Sequence, residues 1–129
     1  MNRRIHSLLA GAALLVASAP AYVHHSGAMF DSGREQTIQG TITEFNWTNP
    51  HSSFKVDVET DGKHEIWAIE MNSPQNLVRT GWKRTTIKPG DKVTVTVRPL
   101  RDGKPGGSYM SIKLADGTVL DGIGPGQNN

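Results

Sequence analysis

The stretch SFKVDVETDGKHEIWAIE, residues 53–70, contains two β-strand patterns joined by a turn. In its first half Phe54, Val56 and Val58 alternate with polar residues, which is the period of a strand with one face in the core. The dipeptide Asp61-Gly62 is typical of a two-residue hairpin turn. The second half has apolar residues on both faces, so it predicts a strand that is central or covered.

A strand is also predicted before this hairpin, over residues 37–47. Ile38, Gly40 and Ile42 fall on one side of it, and a glycine in the middle of a strand favours a bend or a bulge. Thr48-Asn49-Pro50 ends the strand, because proline has no amide hydrogen to donate to a neighbouring strand.

A short helix is predicted after the hairpin. Ser73-Pro74 is typical of a helix N-cap followed by proline in the first turn, and Gly81 is typical of a helix end. We therefore predict a helix over residues 74–80, with Leu77 and Val78 as its buried contacts.

Two further strands complete the pattern, each with apolar side chains at alternate positions. The predicted inward residues are Val93, Val95 and Val97 in one strand and Met110, Ile112 and Leu114 in the other. The order strand, strand, strand, helix, strand, strand is that of the OB-fold, a five-stranded, partly open barrel. We predict this all-β fold with one short helix, and a small antiparallel β-sandwich is the alternative. The loops that usually frame the binding face of an OB-fold are here Thr48–Ser52 and Arg101–Gly107.

The N-terminal residues are typical of a secretory signal peptide. Arg3 and Arg4 precede an apolar run of about a dozen residues, shorter than the ~20 that a membrane-spanning helix needs. The sequence Ala19-Pro20-Ala21 fits the small-x-small cleavage pattern, and a cut after Ala19 would leave proline first. We therefore predict cleavage after Ala21, which gives a periplasmic protein without a membrane anchor.

The predicted domain organisation has four parts: a signal peptide (residues 1–21), an N-terminal arm (22–36), the barrel (37–121) and a tail (122–129). The arm is polar and irregular, and we expect it on the barrel surface. The tail is so rich in Gly and Pro that we predict it to be disordered. The part after the signal peptide, about 108 residues, is long enough for one compact domain.

The charge of the chain argues against nucleic acid as a partner. The formal net charge is +2, but without Arg3 and Arg4 twelve Lys and Arg face twelve Asp and Glu. A neutral chain lacks the field that dominates affinity for phosphate backbones. The chain has no Cys, which excludes a disulfide framework and a lipid-anchoring cysteine.

The sequence gives little support for catalysis. No Ser lies in a nucleophile-elbow motif, and Asp57, Glu59 and Asp61 fall on a solvent face or in a turn. We expect a binding protein rather than an enzyme.

The histidines suggest a metal site. Imidazole nitrogen is a common ligand for transition metals, and copper(II) favours square arrangements of nitrogen and oxygen donors. We predict a copper(II) site formed by His24, His25 and His51. Asp31, Glu70 or Met71 are candidates for additional ligands, and the arm must fold back along the first strand for the three histidines to meet.

Two other interpretations of the histidines stay open. After cleavage behind Ala21, the chain amine, two amide nitrogens and the His24 imidazole can close a square around copper(II) or nickel(II). In the other interpretation, the histidine pair is a solvated chain end and His51 hydrogen-bonds its own turn. His64 follows a turn, and we predict that it faces solvent and is not a ligand.

The alternative function is a metal-free module that binds a small molecule or a periplasmic partner protein on the loop face. Trp47, next to the first loop, is a candidate to stack on a ligand, whereas Trp67 is predicted to lie in the core. Asn49 and Glu70 are further candidates for ligand contact.

Several short motifs resemble one family of small exported bacterial proteins of unknown function. The motifs are His24-His25-Ser26, Trp47-Thr48-Asn49-Pro50-His51, Trp67-Ala68-Ile69-Glu70, Ser73-Pro74, Gly81-Trp82 and Lys88-Pro89-Gly90-Asp91. The resemblance covers nearly the whole predicted mature chain, and it implies a periplasmic β-barrel without an established activity. In that family the histidine pair tends to follow the cleavage site directly, whereas Tyr22-Val23 intervenes here.

Overall fold

Six strands and one helix lie within residues 27–122, the part of the chain that the computed structural model describes. They are β1 (Gln36–Asn46), β2 (Ser53–Thr60), β3 (Lys63–Glu70), α1 (Pro74–Arg79), β4 (Lys92–Pro99), β5 (Gly106–Leu114) and β6 (Val119–Asp121). No helix in this part of the chain is long and apolar enough to cross a membrane.

The strands form one sheet that closes on itself. Their order is β3-β2-β1-β4-β5-β6, and β3 also pairs in parallel with β5. Strands β1 to β5 therefore make a closed barrel with α1 between β3 and β4, which confirms the predicted OB-fold-like barrel. The short β6, paired with the end of β5, was not predicted as a strand.

Strand β1 is shared between the two halves of the barrel. Its first part, from Gln36 to Thr41, pairs with β4, and its second part, from Thr41 onward, pairs with β2. At Gly40 a Cβ atom would clash with the Asp57 carbonyl oxygen of β2. Glycine is thus required here by the close approach of two strands, whereas the irregularity in the β1–β2 register lies between Ile42 and Glu44.

The β2–β3 hairpin forms where predicted. Asp61 and Gly62 both have positive φ (52° and 75°), as a two-residue turn of this kind demands. The central position predicted for β3 is confirmed, since β3 pairs with both β2 and β5, but within the described residues its outer face is not covered. Trp67 is buried towards the core, but Ile66 is 48% exposed, because the outer face of β3 is not covered there by another element of the described chain.

The helix ends one residue earlier than predicted. The Ser73 hydroxyl accepts a hydrogen bond from the Asn76 amide (3.4 Å) and caps its start. Leu77 is buried as expected, but Val78 is 59% exposed. A helix of six residues presents only one narrow stripe to the barrel, and the residue after Leu77 points about 100° away from it.

The alternation predicted for β5 is interrupted. Thr96 pairs with Ser111 but Val97 pairs with Tyr109, so Met110 is an extra residue in the ladder. Tyr109 consequently takes the core position, and Met110 is only half-buried, which corrects its predicted inward place. Ile112 is buried as expected.

The core fills the inside of the barrel. Its buried members are Ile38, Ile42, Phe54, Val56, Trp67, Ile69, Met71, Leu77, Trp82, Ile87, Val93, Val95, Val97, Tyr109 and Ile112. Leu114 and Trp47 pack against this cluster while partly exposed.

The chain before β1 lies against the end of β4. Phe30, which is 5% exposed, bridges to Leu100, and the Arg101 amide donates to the Met29 carbonyl (2.9 Å). The Arg101 Nε also donates to the Ala28 carbonyl (3.0 Å). The described part of the arm is therefore anchored on the β4–β5 loop.

Candidate functional site

His51 lies in the loop between β1 and β2 and is held by a backbone carbonyl. Its Nδ1 is 3.1 Å from the carbonyl oxygen of Met71, just after β3. A carbonyl oxygen can only accept, so Nδ1 carries the proton and Nε2 is the unprotonated nitrogen of the neutral ring. Carbonyls and carboxylates orient metal-ligating histidines in this way. The interpretation that His51 bonds only its own turn is wrong, because its partner belongs to the end of β3.

The other candidates near this loop, Trp47 and Asn49, make local contacts of their own. Trp47 is half-buried and packs edge-on against Phe45, with 5.9 Å between the ring centroids. Asn49 is exposed, and the Thr48 hydroxyl donates to its carbonyl (3.3 Å). The loop is thus ordered by local contacts, and Trp47 keeps part of its indole accessible.

The further ligand candidates are dispersed. The side chain of Met71 is fully buried in the core, so only its carbonyl serves His51. Glu70 is half-buried at the end of β3, where it pairs with Ser53. Asp31 accepts a hydrogen bond from the Gly33 amide (3.1 Å) beside the β4–β5 loop.

His64 faces solvent, as predicted. Its Nδ1 is 3.0 Å from both carboxylate oxygens of Asp57, and its Nε2 is 4.0 Å from Glu59 Oε2. A carboxylate oxygen accepts, so Nδ1 donates to Asp57.

His24 and His25 lie outside the described residues. Only the described part of the arm can therefore be placed relative to His51. Residues 29–31 run antiparallel to residues 99–101 at the end of β4. Because β4 is antiparallel to β5 and β5 is parallel to β3, residues 29–31 run in the same direction as β3. Followed towards the N-terminus, this segment runs opposite to the direction from Ala68 to Met71. Residues 31 to 29, followed in this direction, lead away from His51.

A complete metal site is not present within residues 27–122, where no three His, Asp or Glu side chains are grouped to hold an ion. Within the described residues the structure thus gives no alternative to the predicted set of His24, His25 and His51.

The structure also reveals polar groups that the sequence did not single out. Arg98 Nε and Ser108 Oγ are buried without a hydrogen-bond partner in the described chain. The two residues are paired across β4 and β5, and Ser108 is paired with Glu70 across β5 and β3. No sequence signal could have found this row, because it depends on the register of three strands.

A groove of about 630 Å³ lies on the outer face of the sheet, away from both loops. One wall carries Asp57, Glu59 and His64, and the opposite wall carries Lys92 and Lys113. It arises where β1 passes from β4 to β2, and the sequence analysis did not anticipate it.

Comparison with protein-family models matches residues 12–109 to a family of unknown function, DUF6152. The chain belongs to the DUF6152 family. The match to DUF6152 extends from before the arm into β5, so it includes His24, His25 and His51. Comparison with curated proteins and with solved structures gives no match.

Proposed function

We propose that the protein is an exported, periplasmic binding protein that takes a transition metal ion, copper(II), on its histidines. The observation that carries the proposal is the hydrogen bond from His51 Nδ1 to the Met71 carbonyl (3.1 Å). It presents Nε2 as a fixed, unprotonated nitrogen, which is the form of imidazole that binds metal. The chain has no Cys, so nitrogen and oxygen donors are available and thiolates are not, which favours copper(II).

In the proposed site the barrel supplies His51, and the arm supplies His24 and His25. Copper(II) prefers a square of four donors, so the chain amine or an amide nitrogen completes the set. Because residues 31 to 29 lead away from His51, this site requires the chain before Met29 to turn back towards the first loop.

A second arrangement of the same function does not need that turn. After cleavage behind Ala21, the Tyr22 amine, the amides of Val23 and His24 and the His24 imidazole form a square by themselves. This arrangement leaves His51 out and exists only in the mature chain. The mass of the secreted protein therefore checks it directly, since it requires a chain that begins at Tyr22.

Titration of the mature chain with copper(II) sulfate tests the proposal by isothermal calorimetry. We expect tight binding at one equivalent, which is lost in the double variant His24→Ala, His25→Ala and weakened in His51→Ala. His64→Ala is the matched control, because His64 is the other histidine of the described residues and lies outside the proposed site, and it should bind like the wild type.

Electron paramagnetic resonance of the copper(II) complex then counts the nitrogen ligands. Loss of one imidazole coupling in His51→Ala supports the shared site. An unchanged spectrum and affinity in that variant overturn the shared site in favour of the N-terminal arrangement. Equal affinity of the wild type and the His24→Ala, His25→Ala variant overturns both.

A further inference from the structure

The groove on the outer face of the sheet has opposite charges on its two walls. Strand pairing places Asp57, Thr41 and Lys92 in one row across β2, β1 and β4, because Thr41 is paired with both of the others. Paired residues project from the same face of a sheet, so this row runs from an acid through a hydroxyl to a base.

A second row lies beside the first and repeats its basic end. Gln39 of β1 is paired with Thr94 of β4, which is paired with Lys113 of β5. Glu59 extends the acidic wall, so each wall carries two groups of like charge. Between them lie the side chains of Gln39, Thr41 and Thr94, which can donate and accept hydrogen bonds.

The charged groups on both walls can form further contacts with a ligand. Lys92 Nζ donates to the Thr41 hydroxyl (2.7 Å), and neither Lys92 nor Lys113 forms an ion pair with a residue of the described chain. On the other wall Asp57 accepts from His64, and a carboxylate accepts further hydrogen bonds through its remaining lone pairs. Glu59 is largely exposed.

The width of the groove selects the length of the ligand. Two strand spacings separate the backbone of Asp57 from that of Lys92, which is about 10 Å. An extended chain covers roughly 3.3–3.6 Å per residue, so three residues place their two termini at this separation. A volume of about 630 Å³ is within the usual range for small-ligand sites.

We propose that this groove binds a short peptide of two or three residues with free termini. The peptide ammonium group contacts Asp57 and Glu59, and its carboxylate contacts Lys92 and Lys113. The hydroxyls of Thr41 and Thr94 and the Gln39 amide hydrogen-bond the peptide groups between them. The lining of the groove does not include His51, and the groove residues named here are not part of the proposed copper(II) site, so the two proposals are tested independently.

Amide chemical shifts of the isotopically labelled mature chain test the proposal, with triglycine as the probe. We expect saturable shifts in β1 and β4, with weaker binding for free glycine, which is too short to span the walls. N-acetyl-triglycine and triglycine amide each lack one terminal charge. Each should bind up to about 5-fold more weakly per lost contact, the scale of an exposed ion pair.

A comparison of ligands and variants assigns the termini to the walls. In the double variant Lys92→Gln, Lys113→Gln, triglycine and triglycine amide should bind with equal affinity. Triglycine should still bind more tightly than N-acetyl-triglycine. Lys83→Gln, on an exposed position outside the groove, is the matched control and should behave like the wild type. Equal binding of the free and blocked peptides to the wild type, or no shifts in β1 and β4, overturns the proposal.

Discussion

The indole nitrogen of Trp82 donates a hydrogen bond to the hydroxyl of Tyr109 (3.2 Å), and that hydroxyl donates in turn to the Leu120 carbonyl (2.6 Å). Both rings are fully buried. The chain of two bonds joins the segment after α1 to β5 and β6. It satisfies the indole N–H and the phenol hydroxyl, which would otherwise be buried without a partner.

Replacement of Tyr109 by Phe keeps the ring and removes this link. The Trp82 nitrogen then loses its acceptor, so we expect a loss of about 1–3 kcal/mol in the free energy of unfolding, measured by urea denaturation. Thr43→Val removes a hydroxyl from an exposed position and should change stability by less than about 0.5 kcal/mol. A Tyr109→Phe variant as stable as the wild type would show that the two bonds contribute nothing net.

Stability should fall in alkaline solution because of the same residue. Burial raises the pKa of Tyr109 well above its usual range, with a smaller contribution from Asp121. The unfolded chain releases this proton near pH 10, so the stabilisation is fully present below that pH and is lost as the pH rises further. The advantage of wild type over Tyr109→Phe should shrink by up to about 1.4 kcal/mol per pH unit above 10. A constant difference from pH 8 to 11 would contradict this.

Gly40→Ala should be among the most damaging small substitutions. The new methyl group would meet the Asp57 carbonyl oxygen and lie 2.7 Å from Val56 Cγ1, so β1 and β2 must separate. We expect a loss of about 3 kcal/mol in the free energy of unfolding. Gly33→Ala is the control, since its Cβ meets only Asp31 Oδ1 at 3.5 Å and should be tolerated.

The two buried serines should respond in opposite directions to replacement by alanine. The Ser108 hydroxyl has no partner in the described chain, so Ser108→Ala should be neutral or stabilise by up to about 1 kcal/mol. The Ser52 hydroxyl donates to the Thr48 carbonyl, so Ser52→Ala should destabilise by about 1 kcal/mol. The melting temperatures of the two variants, compared with that of the wild type, test this prediction. A clearly lower melting temperature of Ser108→Ala would contradict it and would mean that the hydroxyl has a partner such as ordered water.

The fold was predictable because its signals are local. The alternation around Phe54, the Asp61-Gly62 turn and the Ser73-Pro74 cap each act over a few residues, and together they give the order of elements in an OB-fold. The core position of Tyr109 was not predictable, since it depends on the extra residue Met110 in the β4–β5 ladder. Composition likewise gave no sign that Ile66 would be exposed.

The candidate sites divide in the same way. A loop position for His51 followed from the pattern around Pro50, but its partner, the Met71 carbonyl, comes from another strand. The groove could not be predicted from the sequence, because Asp57 and Lys92 come to lie on either side of Thr41 only when both strands pair with β1. The residue types could be interpreted from the sequence, but the pairing register between distant strands could not.

The shared strand β1 has a consequence for the order in which the barrel folds. The hydroxyls of Thr37 and Thr96 meet across the β1–β4 ladder although 59 positions separate them in the chain. The β2–β3 hairpin can form from neighbouring residues alone, but the first half of β1 must wait until the distant β4 joins the sheet. Residues 36–40 therefore stay an unpaired edge until β4 docks, and during that interval the folding chain is most exposed to association with other unfolded chains.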